Sequence, residues 1–535
     1  MVGSGHNALV AACYLARAGW GVTVCERDTV PGGAVSTVER FPGHQVDRGS
    51  SAHLMIRHLG IISELGLAEH GLRYADCDPW AFAPAPPGSD SPGLVFHRDL
   101  DATCESVQAV CGAQEADAYH RFATVWGERS ARMLRSFATP PTPRHLLRAF
   151  WGLDTEGDPA GLSREFLTSG DALLDQTFSD ERLRAALAWF GAQSGPPMSA
   201  PATAPMVGFA AAMHAIPPGR AIGGSGALSR ALISALESLG GTVVLGDAVT
   251  ALRRCGDGWV VRTAGGCDRH CRVVVAGCHV LSTLDLLAAG GHGEPEALRR
   301  WRRGIRVGPG IGMVVRLATD ALPHYPSAPA GVPVGNSLQL LVSDRRQLHA
   351  AHGAALAGEL PPVPAVLAMS LSALDPSSVP AGEHQISLWA QWHPYDLSGG
   401  RSWDGAGPDS VGAVEGERII AALETVAPGF ADTVRQRFVQ TPLDLERELG
   451  LIGGNVMHVE MSLESMMMWR PVPALSGYRV PGAAGLYLTG ASTHPGGGVS
   501  GASGRSAAAA VLHDARGGLL RRGRAALRRR PAGRT

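Results

Sequence analysis

MVGSGHNALVAACYLARAGWGVTVCERDTVPGG (Met1–Gly33) decides the fold, because it reads as a turn, a helix, a strand and an acid in register. In Gly3-x-Gly5-x-x-Ala8, Gly3 allows the tight bend, Gly5 lets backbone approach a pyrophosphate, and Ala8 lets the helix lie close on its strand. The segment Ala8 to Ala18 is predicted as a helix whose N-terminal N–H groups and dipole face the phosphates. After Gly19 the chain returns as a strand, Gly21 to Cys25, ending on Glu26 with Arg27 beside it. A carboxylate at that distance from the glycines accepts hydrogen bonds from a ribose 2′-hydroxyl and disfavours a 2′-phosphate. The ligand therefore reads as the ADP part of FAD or NAD rather than NADP. Only Met1 and Val2 precede the first glycine, where a nucleotide-binding strand ordinarily brings a longer apolar run. We expect the native chain to start further upstream, a truly short strand being the alternative.

Gly32-Gly33 moves the reading from NAD to FAD. With it, the sequence resembles the phytoene desaturase-like FAD-dependent oxidoreductases, the group of carotenoid desaturases and retinol saturase-like flavoproteins. The resemblance implies that the glycine pair brings a second backbone segment to the flavin diphosphate. FPGHQVDRGSSAHLM (Phe41–Met55) continues it, with Ser50 and Ser51 at the family's cofactor positions. GGTVVLGDAVTALRR (Gly240–Arg254) reads as one strand crossing toward the adenine, which the resemblance places against the backbone of Val249.

The last third carries a second matching block, GLYLTGASTHPGGGVSGASGRSAAAAVL (Gly485–Leu512). A strand Leu486 to Thr489 ends at Gly490-Ala491, and the loop through Gly497 and Gly498 opens a predicted helix, Val499 to Leu512. A helix N-terminus there would stabilise negative charge on reduced flavin.

Composition narrows the chemistry. All 47 basic residues are arginine and none is lysine, which removes Schiff-base chemistry and lysine-linked pyridoxal phosphate. It also removes the lysine that holds a water near flavin N5 in amine-oxidase-like flavoenzymes. A net charge of −1 gives no reason to expect nucleic acid. The absence of a run of about 18 apolar residues and of a signal peptide predicts a cytoplasmic protein. Nine cysteines, odd in number and irregularly spaced, fit reduced thiols. Cys267-x-x-x-Cys271 with His270, and Cys278-His279, match no common zinc spacing, and no metal is expected. Beyond Asp514 the chain is rich in arginine without acid. It reads as a solvated tail, with attachment to anionic lipid or a partner protein as the alternative.

The fold class that follows is α/β, a Rossmann-like FAD-binding domain interleaved with an α+β substrate domain. We place the FAD-binding segments at 1–75, 208–290 and 453–515, the substrate segments at 76–207 and 291–452, and the arginine-rich tail at 516–535. Helices are predicted over roughly Cys104–Arg148 and Leu162–Phe190, with Trp126, Phe150, Trp151, Trp189 and Phe190 available to a pocket or to the core. The alternating stretch HQISLWAQWHPYDL (His384–Leu397) predicts a half-buried strand with Trp389, Gln391, Trp392 and His393 as cavity candidates. For a catalytic base the sequence offers His458, Glu460, His494 and His214. The resemblance implies a dehydrogenase that removes hydride and proton from adjacent atoms of a small-molecule substrate. That substrate would be carotenoid-like, or an amino-acid, peptide or polyketide intermediate of secondary metabolism such as antibiotic biosynthesis; the electron acceptor stays open. A flavin oxidase of a C–N bond, and a non-catalytic flavoprotein with a binding or assembly role, are the rival readings.

Overall fold

A computed structural model describes residues 1–151, 163–291 and 295–528. Its nucleotide-side sheet is parallel. Thr23–Cys25 pairs with Thr242–Val244, Val2 bridges both Cys25 and Ala276, and Val274–Ala276 pairs with Leu486–Leu488. The central strand thus consists of little more than Val2. It is held by Val2 N–H on Val275 O (2.9 Å), Gly277 N–H on Val2 O (2.8 Å) and Gly3 N–H on Cys25 O (2.8 Å).

Helix His6–Arg17 follows the turn, and nearly every side chain from Asn7 to Ala16 is buried. It lies on the sheet and packs against Gly226–Ser238 and Ala502–Arg528. Small residues set these approaches. A Cβ on Gly277 would stand 2.5 Å from the Ala8 Cβ, and one on Gly504 would stand 2.1 Å from Asn7 O.

A three-stranded antiparallel sheet, Val249–Cys255, Gly258–Thr263 and Asp268–Cys271, follows. The single strand predicted over Gly240–Arg254 is therefore two strands in different sheets, separated at Leu245–Ala248, with Gly246 in the left-handed region (φ 69°).

The second large sheet has seven strands in the order Val434–Gln440, Gly312–Thr319, His384–Gln391, Ala365–Ser370, Leu338–Leu341, Ala81–Ala83, Leu94–Phe96. Pairing is antiparallel except between Leu338–Leu341 and Ala81–Ala83. Both faces are covered, so alternation sorts residues to two interiors. Met313, Val315, Leu317, Ile386, Leu388 and Ala390 share a core with Ile419, Ile420 and Leu423 of helix Val411–Glu424. Val314, Arg316, Ser387 and Trp389 take the opposite face.

The helical region predicted over roughly Cys104–Arg148 consists of three helices, Leu100–Cys111, Ala113–Phe137 and Pro143–Phe150. Gly112, at φ 96°, makes the first break, and the prolines before Thr142 make the second. Leu162 lies outside the described residues; the remainder of that prediction holds helices Gly170–Thr177 and Glu181–Ala192, N-capped by Ser169 and Asp180. The helix expected from Val499 starts at Ala502, because Val499 (φ 53°) and Gly501 (φ 71°) are left-handed. It runs to Arg528, so the first part of the expected solvated tail is helical; Arg529, Arg530 and Arg534 lie outside the described residues. No helix among those described is long and apolar enough to cross a membrane.

The close contact of Gly504 with Asn7 gives a stability prediction. Gly504→Val should cost about 1–3 kcal/mol by forcing two buried helices apart, seen as a lower thermal midpoint; an unchanged midpoint would show that the helices separate freely.

Candidate active site

A cavity of about 760 Å³ runs from the glycine turn to the seven-stranded sheet, toward the upper end of volumes for small-molecule sites. Its lining includes Gly3, Gly5, Glu26, Arg27, Gly32, Gly33, Ser50, Ser51, Val249, Gly490, Ala491, Gly497, Gly498 and Val499. The residues that the sequence nominates for FAD therefore share one space. Ala8 lies beneath the turn, fully buried, as close helix packing requires.

The two glycine pairs are needed for different reasons. Gly5 is the N-cap of helix His6–Arg17 and no side chain caps that end. A Cβ there would meet nothing within 4 Å, so the helix N-terminus opens onto free space able to accept an anion. A Cβ on Gly32 would instead stand 2.3 Å from Val35 O and 2.5 Å from Ser229 Oγ; Gly32 is required by protein packing, while Gly33 faces Gly5 across the cavity wall.

Glu26 is buried, and its position is fixed by Ser4. Ser4 N–H and Oγ–H both donate to Glu26 Oε2 (2.7 Å each), Gly32 N–H donates to Ser4 Oγ (3.1 Å), and Asp28 N–H donates to Glu26 Oε1 (2.9 Å). Asp247 N–H reaches Glu26 O (2.9 Å), which brings Ala248 and Val249 to the acid's end of the cavity. Sequence reasoning passed over Ser4 as the unspecified residue between two glycines.

At the other end, Gly497 is held close to the chamber wall: a Cβ there would lie 2.2 Å from Met457 Sδ. Ala491 O accepts from Arg470 Nε (3.1 Å) and Nη2 (2.7 Å). Arg470 also donates to the carbonyls of Met457, Val459, Glu460 and Ser465, so one buried guanidinium ties the last two sequence blocks together.

The candidate bases separate. His458 lines the cavity. Val280 N–H donates to Ser492 Oγ (3.1 Å), and Ser492 Oγ lies 3.1 Å from His458 Nδ1. Ser492 Oγ can donate to Nδ1 or accept from it, so either neutral tautomer of the His458 ring keeps this contact. The His458 ring stacks on His279 at 5.0 Å. His279 accepts from Leu281 N–H at Nδ1 (3.1 Å) and donates from Nε2 to His458 O (2.9 Å), so it too is neutral. Burial pushes His279 down to about 4 and His458 well below the usual histidine range, with His279 and Arg470 adding to the effect on His458.

Glu460 and His494 do not line the cavity. Glu460 pairs with Arg306 (3.2 Å), and burial raises its carboxyl. His494 lies beneath the glycine loop, its Nε2 3.4 Å from Ser136 O. His214 is held between Tyr119 and Arg98 O. None of the three is among the residues that line the cavity.

The chamber beyond is apolar. Phe150 and Phe166 stack at 3.7 Å, with Phe137, Phe190, Phe209 and Trp389 around them. Met55, Met133, Met206, Met369, Met457, Met461, Met466 and Met467 also line it, eight of the chain's 13 methionines. Of the candidates on strand His384–Gln391 and after it, Trp389 alone reaches the cavity. Gln391 donates to Ala192 O (2.5 Å), Trp392 to Gly195 O (3.1 Å), and His393 pairs with Glu415 (2.8 Å). Trp126 and Trp189 are core, and Trp151 is exposed. Among the described residues no group of three metal-ligating side chains is gathered.

The profile of the flavin containing amine oxidoreductases matches residues 9–286. Over nearly its whole length the chain is similar to pyridine nucleotide-disulfide oxidoreductase domain-containing protein 2 of Rattus norvegicus, 31% identical over 96% of this chain and 93% of that protein. It is also similar to phytoene dehydrogenase of Streptomyces griseus, 28% identical over 93% and 91%. Two solved structures share its fold. One is an oxidoreductase from Methanosarcina mazei (TM-score 0.59, 14% identity, 96% and 99% covered). The other is putrescine oxidase (0.60, 14%, 96% and 98%).

Two measurements follow from this geometry. Glu26→Ala should weaken FAD retention by about 1–3 kcal/mol, since it removes the charged acceptor and leaves Ser4 unpaired; a variant that holds FAD as tightly as the native protein would remove Glu26 from the ribose. Folding stability should fall with acid. His279 and His494 are held at about 4 and His53 at about 3, chiefly by burial, against 6.5 when free. Below about pH 6.5 the unfolded chain binds protons that the folded chain refuses, so stability is full above that pH and declines toward pH 4. Thermal midpoints that stay level from pH 7.5 to 4.5 would contradict this.

Proposed function

The chain belongs to the flavin containing amine oxidoreductase family and is an FAD-dependent oxidoreductase; within that family we propose that it is a dehydrogenase that leaves a double bond in its substrate. The observation that carries this reading is the chamber itself, a dry apolar wall continuous with the nucleotide cradle in a protein without lysine. FAD, when bound, supplies the two-electron acceptor.

The chain's own residues bind, orient and exclude water. Gly3, Gly5 and the uncapped end of helix His6–Arg17 would hold the diphosphate, and Glu26 the ribose. The methionine and phenylalanine wall keeps water from the reacting carbons and adapts to a bulky apolar substrate, since thioether side chains are unbranched and polarisable. His458, neutral and lining the cavity, offers a hydrogen bond to one polar atom of substrate or cofactor. Orientation in such a site accounts for much of the rate advantage over solution.

The family's other chemistry, oxidation of a C–N bond at the expense of O₂, would use the same cradle. Product and by-product separate the two. The product should be two mass units lighter than the substrate, with little hydrogen peroxide when an alternative acceptor is present. Peroxide formed in step with product, at the turnover rate, would assign the oxidase reaction instead, and a heavier product would mean that the enzyme saturates a bond.

A further inference from the structure

The sheet face that closes the chamber is apolar except for Ser387 and one charged side chain. Val314, Leu338, Leu367, Met369 and Trp389 line it, and among them stands Arg316, 1% exposed. Arg316 donates to three neutral oxygens: Ser51 Oγ (3.1 Å), Ser387 Oγ (2.5 Å) and Gly49 O (3.0 Å). Its Nε is buried without a partner, and no carboxylate lies within ion-pair distance of it among the described residues.

The nearest buried acid is already taken. Asp47 pairs with Arg220 and accepts from Thr37 Oγ1 (2.8 Å) and Ser225 N–H (2.8 Å). Asp47, Arg220 and Arg316 therefore leave one positive charge uncompensated in the wall. Lysine could relieve such burial by losing its proton, but a guanidinium keeps its charge throughout the range in which proteins work. Burial, with Arg220 and Arg40 adding to it against the pull of Asp47 and Glu448, presses Arg316 down to about 10. The other charged lining groups, Glu26, Arg27, Asp28, Asp285 and Glu448, come from outside this sheet, and Glu448 is neutralised by Arg40 and Arg48. A buried unpaired charge is costly, and a ligand that brings the opposite charge removes that cost.

We propose that Arg316 receives an oxyanion carried by the substrate, a carboxylate in the simplest case, so that the substrate is an apolar molecule with one acidic end rather than a plain hydrocarbon. The proposal rests on the reading of this cavity as a substrate chamber and adds the substrate's charge. An anion could also arise on the reduced cofactor, and the two sources are separable.

The FAD-loaded protein is titrated with octanoate and with octanol, read from the shift of the visible flavin spectrum. The native protein should bind octanoate about tenfold or more tightly than octanol, as a charge-assisted hydrogen-bonded pair requires. Arg316→Met should bring the two to parity while keeping FAD, and Arg316→Lys should retain part of the preference. Octanoate binding no better than octanol to the native protein, or a preference that survives in Arg316→Met, would overturn the assignment. A surviving preference with a lowered flavin reduction potential would give the cation to the cofactor. Binding is read here without turnover, so this test fails on affinity, whereas the reaction class fails on product mass.

Discussion

The contact on which the nucleotide half depends is the grip of Ser4 on Glu26. One serine, fully buried, gives its N–H and its hydroxyl to the same carboxylate oxygen and accepts Gly32 N–H. Three segments distant in sequence are locked: the glycine turn, the end of the second strand and the glycine pair. The lock keeps Glu26 and the bare helix end on the lining of one cavity.

A second device works at the far end. Arg470, buried and without a carboxylate, donates to five carbonyl oxygens of its surroundings. Irregular backbone from Met457 to Ser465 thus finds a single donor hub in place of a strand ladder, which satisfies buried carbonyls that would otherwise be costly. The same segment presents His458 and two cavity methionines, Met457 and Met461, so the chamber wall is irregular here and regular, as sheet, on its other side.

Much of this was legible in the sequence, and the reason lies in periodicity and glycine spacing. Turn, helix and acid announced themselves because a nucleotide cradle needs particular residues at particular places. The bounds of the helices within Cys104–Arg148 stayed approximate in the sequence, because Gly112 and the prolines around Thr142 mark breaks whose caps only the backbone places. Glu460 and His494 lie off the cavity lining, a placement that residue type and a matched block do not reveal. Arg316 did leave a signal, a lone charge inside the apolar run GMVVRLAT, on a strand buried along its whole length.

The thioether wall has a chemical cost. Methionine sulfur is oxidised by peroxide to a sulfoxide, which turns an adaptable apolar side chain into a polar, chiral one. With eight such groups around the reacting space, each stray encounter of reduced flavin with oxygen would wet the chamber a little and loosen its hold on an apolar substrate. Were oxygen to take the electrons, peroxide would form beside these thioethers, and a sulfoxide reductase would be needed to restore them.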